Sequence, residues 1–92
     1  MIKSSKKQLS KKIISQMSRD DKEALFEIAH KIAELRRIQS ITQKELSKRI
    51  GTTQSTIARI EAGKQNLTVS YIKKIASALK QNISLQFINK SK

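Results

Sequence analysis

Apolar residues recur along this chain in blocks of helical period, broken at two glycines and followed by one stretch of alternation. Leu25, Ile28, Ala29, Ile32, Leu35 and Ile38 follow one another by steps of three and one, a spacing that gathers side chains on one stripe of a helix. Asp20-Asp21-Lys22-Glu23 sets acids just ahead of that stripe, where the helix dipole favours negative charge. A long first helix is the expectation.

Thr42-Gln43-Lys44-Glu45 then reads as a capping box, in which a Thr hydroxyl and a Glu carboxylate three residues on each close an orphan backbone N–H. It predicts a short helix to about Ile50, with Leu46 and Ile50 facing inward, ended by Gly51 in the left-handed conformation that costs glycine little. A third helix is expected from about Thr53 to Ala62, burying Ile57 and Ile60 and ended by Gly63 in the same way. Thr68 is placed to cap a fourth, with Val69, Ile72, Ile75, Ala76 and Leu79 inward. Beyond it, Asn82 to Ile88 places Ile83, Leu85 and Phe87 at every second position, a strand signal. A single strand needs a partner for its backbone donors and acceptors. With no second strand in the pattern, a symmetry mate is the simplest source, giving a dimer strand of Ile83, Leu85 and Phe87 that rests on the last helix near Ile75 and Leu79.

The segment Met1 to Ser18 is rich in Lys and Ser, and Leu9, Ile13, Ile14 and Met17 fall at near-helical spacing. It is shorter than an isolated helix needs to hold itself together. The organisation expected is therefore a flexible basic N-terminal arm over 1–18, a helical domain over 19–80, and a C-terminal strand and tail over 81–92.

Composition sharpens this picture. At 92 residues the chain is one domain, and one this small buries too little surface to be more than marginal as a monomer. It has no cysteine and a single histidine, His30, so neither disulfides nor a zinc cluster is available to staple it, and dimerisation is left as the way to enlarge the core. Aromatics are only 3% of residues, which leaves Ile, Leu, Val and Ala to build the interior. Twenty Lys and Arg against seven acids give a formal charge of +13, an excess that draws polyanions. All seven acids lie between Asp20 and Glu61, so a near-balanced middle is flanked by two basic stretches. No run approaches the length of a membrane span, and Met1 to Ser10 lacks the apolar run of a secretory signal; a cytoplasmic location and no membrane partner are the expectation. His30 is read as a solvated or helix-packing residue. There is no carboxylate pair, nucleophile–base pair or Gly-rich phosphate loop in the pattern, so neither an enzyme nor a cofactor or metal site is expected.

What the third helix exposes carries the chemistry. With Ile57 and Ile60 turned inward, its outward side presents Gln54, Ser55, Thr56 and, a turn later, Arg59. In a chain crowded with Lys these are mostly uncharged hydrogen-bonding groups: amides pair bidentately with adenine, hydroxyls adapt to several base edges, and Arg suits guanine. An ordinary solvated polar face has the same composition, so the helix alone leaves both readings standing.

Ile41-Thr42-Gln43-Lys44-Glu45-Leu46, followed by Gly51-Thr52-Thr53-Gln54-Ser55-Thr56-Ile57-Ala58-Arg59-Ile60-Glu61-Ala62-Gly63-Lys64, resembles the Xre/Cro helix-turn-helix family of phage repressors and antitoxins. The likeness covers about Ile32 to Leu79. It implies an all-α bundle of four to five helices, with the short C-terminal β-strand pairing across a dimer, and binding to double-stranded DNA at a palindromic operator. It further implies that Gln43 contacts a phosphate and braces Gln54, that Gln54, Ser55, Thr56 and Arg59 read bases, and that Thr53, Lys64, Gln65 and Asn66 join Gln43 on phosphates. Arg36 and Glu61 match an ion pair that many members carry. One departure is Ser47, where the family usually has Ala; its hydroxyl can bond back to a backbone carbonyl, so no loss of fold is expected.

The ending from Ala76 to Phe87 is similar to the helix-then-strand ending of HipB-type and some HigA-type antitoxins. That implies a repressor that autoregulates its operon and neutralises a toxin protein, either a HipA-like kinase or a RelE/HigB-like ribonuclease. The alternatives are a phage-type repressor without a toxin partner, and a protein-binding adaptor.

Overall fold

The computed structural model describes residues 17–89, which carry four helices: α1 (Arg19–Ile38), α2 (Gln43–Ile50), α3 (Gln54–Glu61) and α4 (Val69–Ala78). The expected arm lies, from residue 1 to 16, outside the described residues. Ser18, counted with that arm, is the N-cap of α1, its hydroxyl accepting from the Asp21 amide at 3.1 Å.

Each later helix starts at a threonine for the same reason: a β-region residue whose hydroxyl takes one orphan N–H. Thr42 accepts from the Glu45 amide at 3.0 Å while the Glu45 carboxylate takes the Thr42 N–H at 3.1 Å, completing the box. Thr53 accepts from Thr56, and Thr68 from Tyr71. Gly51 closes α2 at φ +74 and Gly63 follows α3 at φ +71. The two differ in surroundings, since a Cβ at Gly51 would meet open space and one at Gly63 would stand 2.7 Å from the ring of Phe26.

The core gathers Ile32, Ile41, Leu46, Ile50, Ile57, Ile60, Ile75 and Leu79, with Ile28, Leu35, Leu67, Tyr71 and Ala78 packed partly against it. Helix α2 lies against both α3 and α4, and α3 also touches α1. Ser47 is buried in this core and spends its hydroxyl on the Lys44 carbonyl at 2.6 Å, so no polar atom is stranded there.

Two residues expected on the inner stripes are not there. Ile38 is 71% exposed: two successive steps of three from Ile32 rotate it about 120° off the buried face, and Ala33 is buried instead. Val69 is 54% exposed, being about 120° around α4 from the buried Ile75.

Beyond α4, the left-handed Lys80 (φ +59) turns the chain. The orphan carbonyls at the end of α4 are closed by Arg49 on Ala78 (3.1 Å) and Gln39 on Leu79 (2.7 Å). Residues 81–89 form no strand, because a strand has no ladder without a second chain segment beside it, and none of the described residues supplies one. Ile83 lies in the apolar groove between α1 and α4, beside Ile32, Ile75 and Leu79. Leu85, Phe87 and Ile88 are exposed.

Candidate nucleic-acid interface

Helix α3 is anchored by Ile57 and Ile60, both fully buried, and this fixes which of its side chains face outward. Gln54, Ser55, Ala58 and Ala62 are exposed along one side. Thr56 is half-buried and shares a 3.0 Å hydroxyl–hydroxyl bond with Thr53, whose oxygen also accepts the Thr56 amide at 3.2 Å. Arg59 is half-buried at the side of this face, where its Nε donates to Gln65 Oε1 at 3.2 Å. Lys64 and Asn66 are exposed on the loop that follows.

Behind the face runs a polar chain that starts in the interior. Arg36 forks onto Glu61 through Nε to Oε2 at 2.6 Å and through Nη2 to Oε1 at 3.0 Å, and its Nη1 holds the Ile41 carbonyl at 2.8 Å. Both side chains are mostly buried, 13% and 7% exposed. Gln43 Nε2 donates to the same Glu61 Oε1 at 3.0 Å, and Gln54 Nε2 reaches Gln43 Oε1 at 3.5 Å. Burial pushes the Glu61 carboxyl up, but the hydrogen bonds from Arg36 and Gln43 and the charges of Arg36 and Arg37 outweigh it and hold Glu61 below its ordinary value. The bond to Glu61 pushes the Arg36 guanidinium up. This pair is therefore ionised at any pH near neutrality.

The structure thus brings Arg36, Gln43, Gln54 and Glu61 into one cluster. Arg59 joins Gln65, and Thr53 joins Thr56, so a base reader and a phosphate contact of the sequence reading are bonded to each other in each case. Ile83 sits in the groove between α1 and α4, and Leu85 and Phe87 are exposed. Sequence reasoning missed Ala58, whose spacing of four from Gln54 puts it on the outward side; its methyl suits contact with a thymine methyl. It also missed the Gln43–Glu61 bond, for which an 18-residue separation leaves no local signal. Among the described residues, no group of His, Cys, Asp and Glu is placed to hold a metal ion, and no helix is long and apolar enough to cross a membrane.

Two short helices joined through a glycine turn, the second offering an uncharged polar edge, is an arrangement shared with many helical bundles. The comparison with known families decides between them: residues 32–86 match the helix-turn-helix family model. The chain belongs to the helix-turn-helix family, in its Xre/Cro form. As such it is a sequence-specific DNA-binding regulator of transcription. No curated protein matches the chain. Among solved structures, it is similar to the restriction-modification controller protein C.AhdI from Aeromonas hydrophila, with 26% identity and a TM-score of 0.65, over 70% of this chain and 93% of that one. In this helix-turn-helix protein α2 and α3 are the motif's two helices.

Proposed function

We propose that the protein is a transcriptional repressor that docks α3 in the major groove of a palindromic operator as a two-fold dimer, and that it is the antitoxin of a toxin–antitoxin module. In this reading Gln54, Ser55, Thr56 and Arg59 meet base edges, while Gln43, Thr53, Lys64, Gln65 and Asn66 hold phosphates. The observation that carries the DNA reading is the exposed edge of α3 braced from behind by an ionised, mostly buried pair. Preorganised polar groups on a rigid element lose little freedom when they engage. The bonds Thr53–Thr56 and Arg59–Gln65 fit this reading, because each couples a phosphate-side group to a base-side one.

The antitoxin role rests on the likeness of the Ala76 to Phe87 ending to that of HipB-type antitoxins, and the dimer is supported by the tail. Leu85, Phe87 and Ile88 are 74%, 109% and 84% exposed, and a run of large apolar side chains in water marks a surface that another chain covers. Pairing of this segment across the dimer, with the toxin held elsewhere, is the arrangement proposed. A second reading, a regulator without a toxin, is favoured by the likeness to a restriction-modification controller.

Capture of the tagged protein from its native host, with sequencing of bound DNA and identification of stoichiometric partners, separates these. Its own promoter together with a toxin protein supports the antitoxin reading. The promoter without a partner protein supports the second, and absence of any enriched duplex sinks both.

A further inference from the structure

The bonds behind α3 have a direction, and that direction starts at Glu61. An ionised carboxylate only accepts hydrogen bonds, and Arg36 keeps Glu61 in that form. The end of the Gln43 amide facing Glu61 is therefore its NH2, at 3.0 Å. Gln43 is left with its carbonyl oxygen toward α3, and an amide oxygen also only accepts. Gln54 accordingly turns its NH2 inward, at 3.5 Å, and shows the outside its carbonyl oxygen and its remaining N–H.

An acceptor beside a donor is the complement of adenine, which offers N6–H and N7 in the major groove; guanine, with O6 and N7, needs two donors. Were the chain reversed, Gln43 would give its NH2 to the Gln54 oxygen, leaving Gln54 with two outward N–H groups suited to guanine. We propose that Glu61 is a positioning residue for base choice: its carboxylate sets the polarity of the Gln43–Gln54 amides so that Gln54 selects adenine over guanine. This rests on the reading of α3 as the recognition helix and goes beyond it, since Glu61 itself is placed to touch no DNA.

The test uses the full chain and a randomised duplex library, with binding read as the adenine-to-guanine ratio at each position. Gln54→Ala first locates the base pair: the ratio there collapses while the others hold. If it changes no position, the reading of α3 falls and this proposal with it. At that position the native protein favours adenine by roughly 5- to 150-fold.

The Glu61 oxygen that faces Gln43 is also held by Arg36 Nη2 at 3.0 Å, so the informative change is the double variant Arg36→Met/Glu61→Leu, which removes the acceptor and strands no charge. Gln43 is then free to turn either end of its amide toward Gln54. The adenine preference should drop at least about 5-fold at the Gln54 position alone, in protein shown folded by circular dichroism at the assay temperature. A folded double variant that keeps its adenine preference, or that loses affinity equally for all sequences, overturns the proposal while leaving the Gln54 reading intact. Should the double variant be unfolded at that temperature, Gln43→Lys decides, because an ammonium donates both to Glu61 and to the Gln54 oxygen and so reverses the chain with the ion pair intact. A shift toward guanine there supports the proposal, and an unchanged ratio overturns it.

Discussion

Arg36 and Glu61 are 25 residues apart in the chain and are joined by two bonds of 2.6 and 3.0 Å. Glu61 Oε1 also takes the 3.0 Å bond from Gln43, so one carboxylate ties the end of α1 and the start of α2 to the end of α3. Removing one member of a largely buried pair strands the other, which typically costs about 3 kcal/mol. Arg36→Met should lower the stability measured by urea denaturation by about that amount. The double variant Arg36→Met/Glu61→Leu should recover part of the loss, since neither charge is then stranded; a double variant as unstable as the sum of the two singles contradicts this account.

Acid should attack the same pair. The folded-state value of Glu61 lies below its ordinary one, so the stability it contributes is present above the usual unfolded carboxylate range, about pH 4.3, and is lost as pH falls through the lowered value. Arg36, raised in the fold, keeps its contribution at every pH below the ordinary arginine value and adds no slope here. Urea midpoints measured from pH 6 downward should therefore fall less steeply in Glu61→Gln than in the native chain. Equal slopes would show that Glu61 is not the group responsible.

The two left-handed glycines should respond differently to a methyl group. Gly51→Ala meets only the backbone penalty, about 1–2 kcal/mol, because a Cβ there has open space around it. Gly63→Ala has a similar φ but must also push aside the Phe26 ring 2.7 Å away, so its thermal transition should fall further. In a Phe26→Ala background the difference between the two glycine variants should vanish; if it persists, the ring is not its cause.

Readout and anchoring should separate by salt and sequence. Arg59→Ala should cost about 1–3 kcal/mol on the cognate operator and relax preference at one base pair. Lys64→Ala should weaken every sequence alike and reduce the slope of log affinity against log salt by about one. Fluorescence anisotropy titrations on cognate and scrambled duplexes check both. A Lys64→Ala variant that changes base preference would move this residue out of the phosphate set.

Truncation after Lys80 removes Ile83, Leu85, Phe87 and Ile88 and spares the core residues. Each large apolar side chain covered by a dimer mate contributes roughly 1.5–3 kcal/mol, so the truncated chain should sediment as a folded monomer at micromolar concentration and bind a palindrome without cooperativity. A dimer set by this segment would hold the recognition helices about 34 Å apart, one turn of the duplex. A truncated chain that is still dimeric refutes pairing through the tail.

The four helices, the caps at Thr42 and Thr68 and the glycine ends at Gly51 and Gly63 were readable from spacing, because capping and left-handed turns are settled within four or five neighbouring residues; the Ser18 cap, set in a basic stretch, was not. The outward edge of α3 was legible too, since placing Ile57 and Ile60 inside leaves Gln54 and Ser55 outside. The limits of the buried stripes were not: Ile38 and Val69 have the right chemistry and nearly the right spacing, and only the positions of the other helices decide that nothing covers them. The family pattern suggested that Arg36 meets Glu61 and that Gln43 braces Gln54. That Gln43 also donates to Glu61, so that a mostly buried charge orients an exposed amide, appears only when α1, α2 and α3 pack together, because hydrogen-bond direction depends on which atoms the fold sets face to face. The alternation at Ile83, Leu85 and Phe87 likewise states a preference for a strand, but a strand exists only where another backbone lies beside it. That neighbour is supplied by tertiary or quaternary structure, never by the segment's own residues.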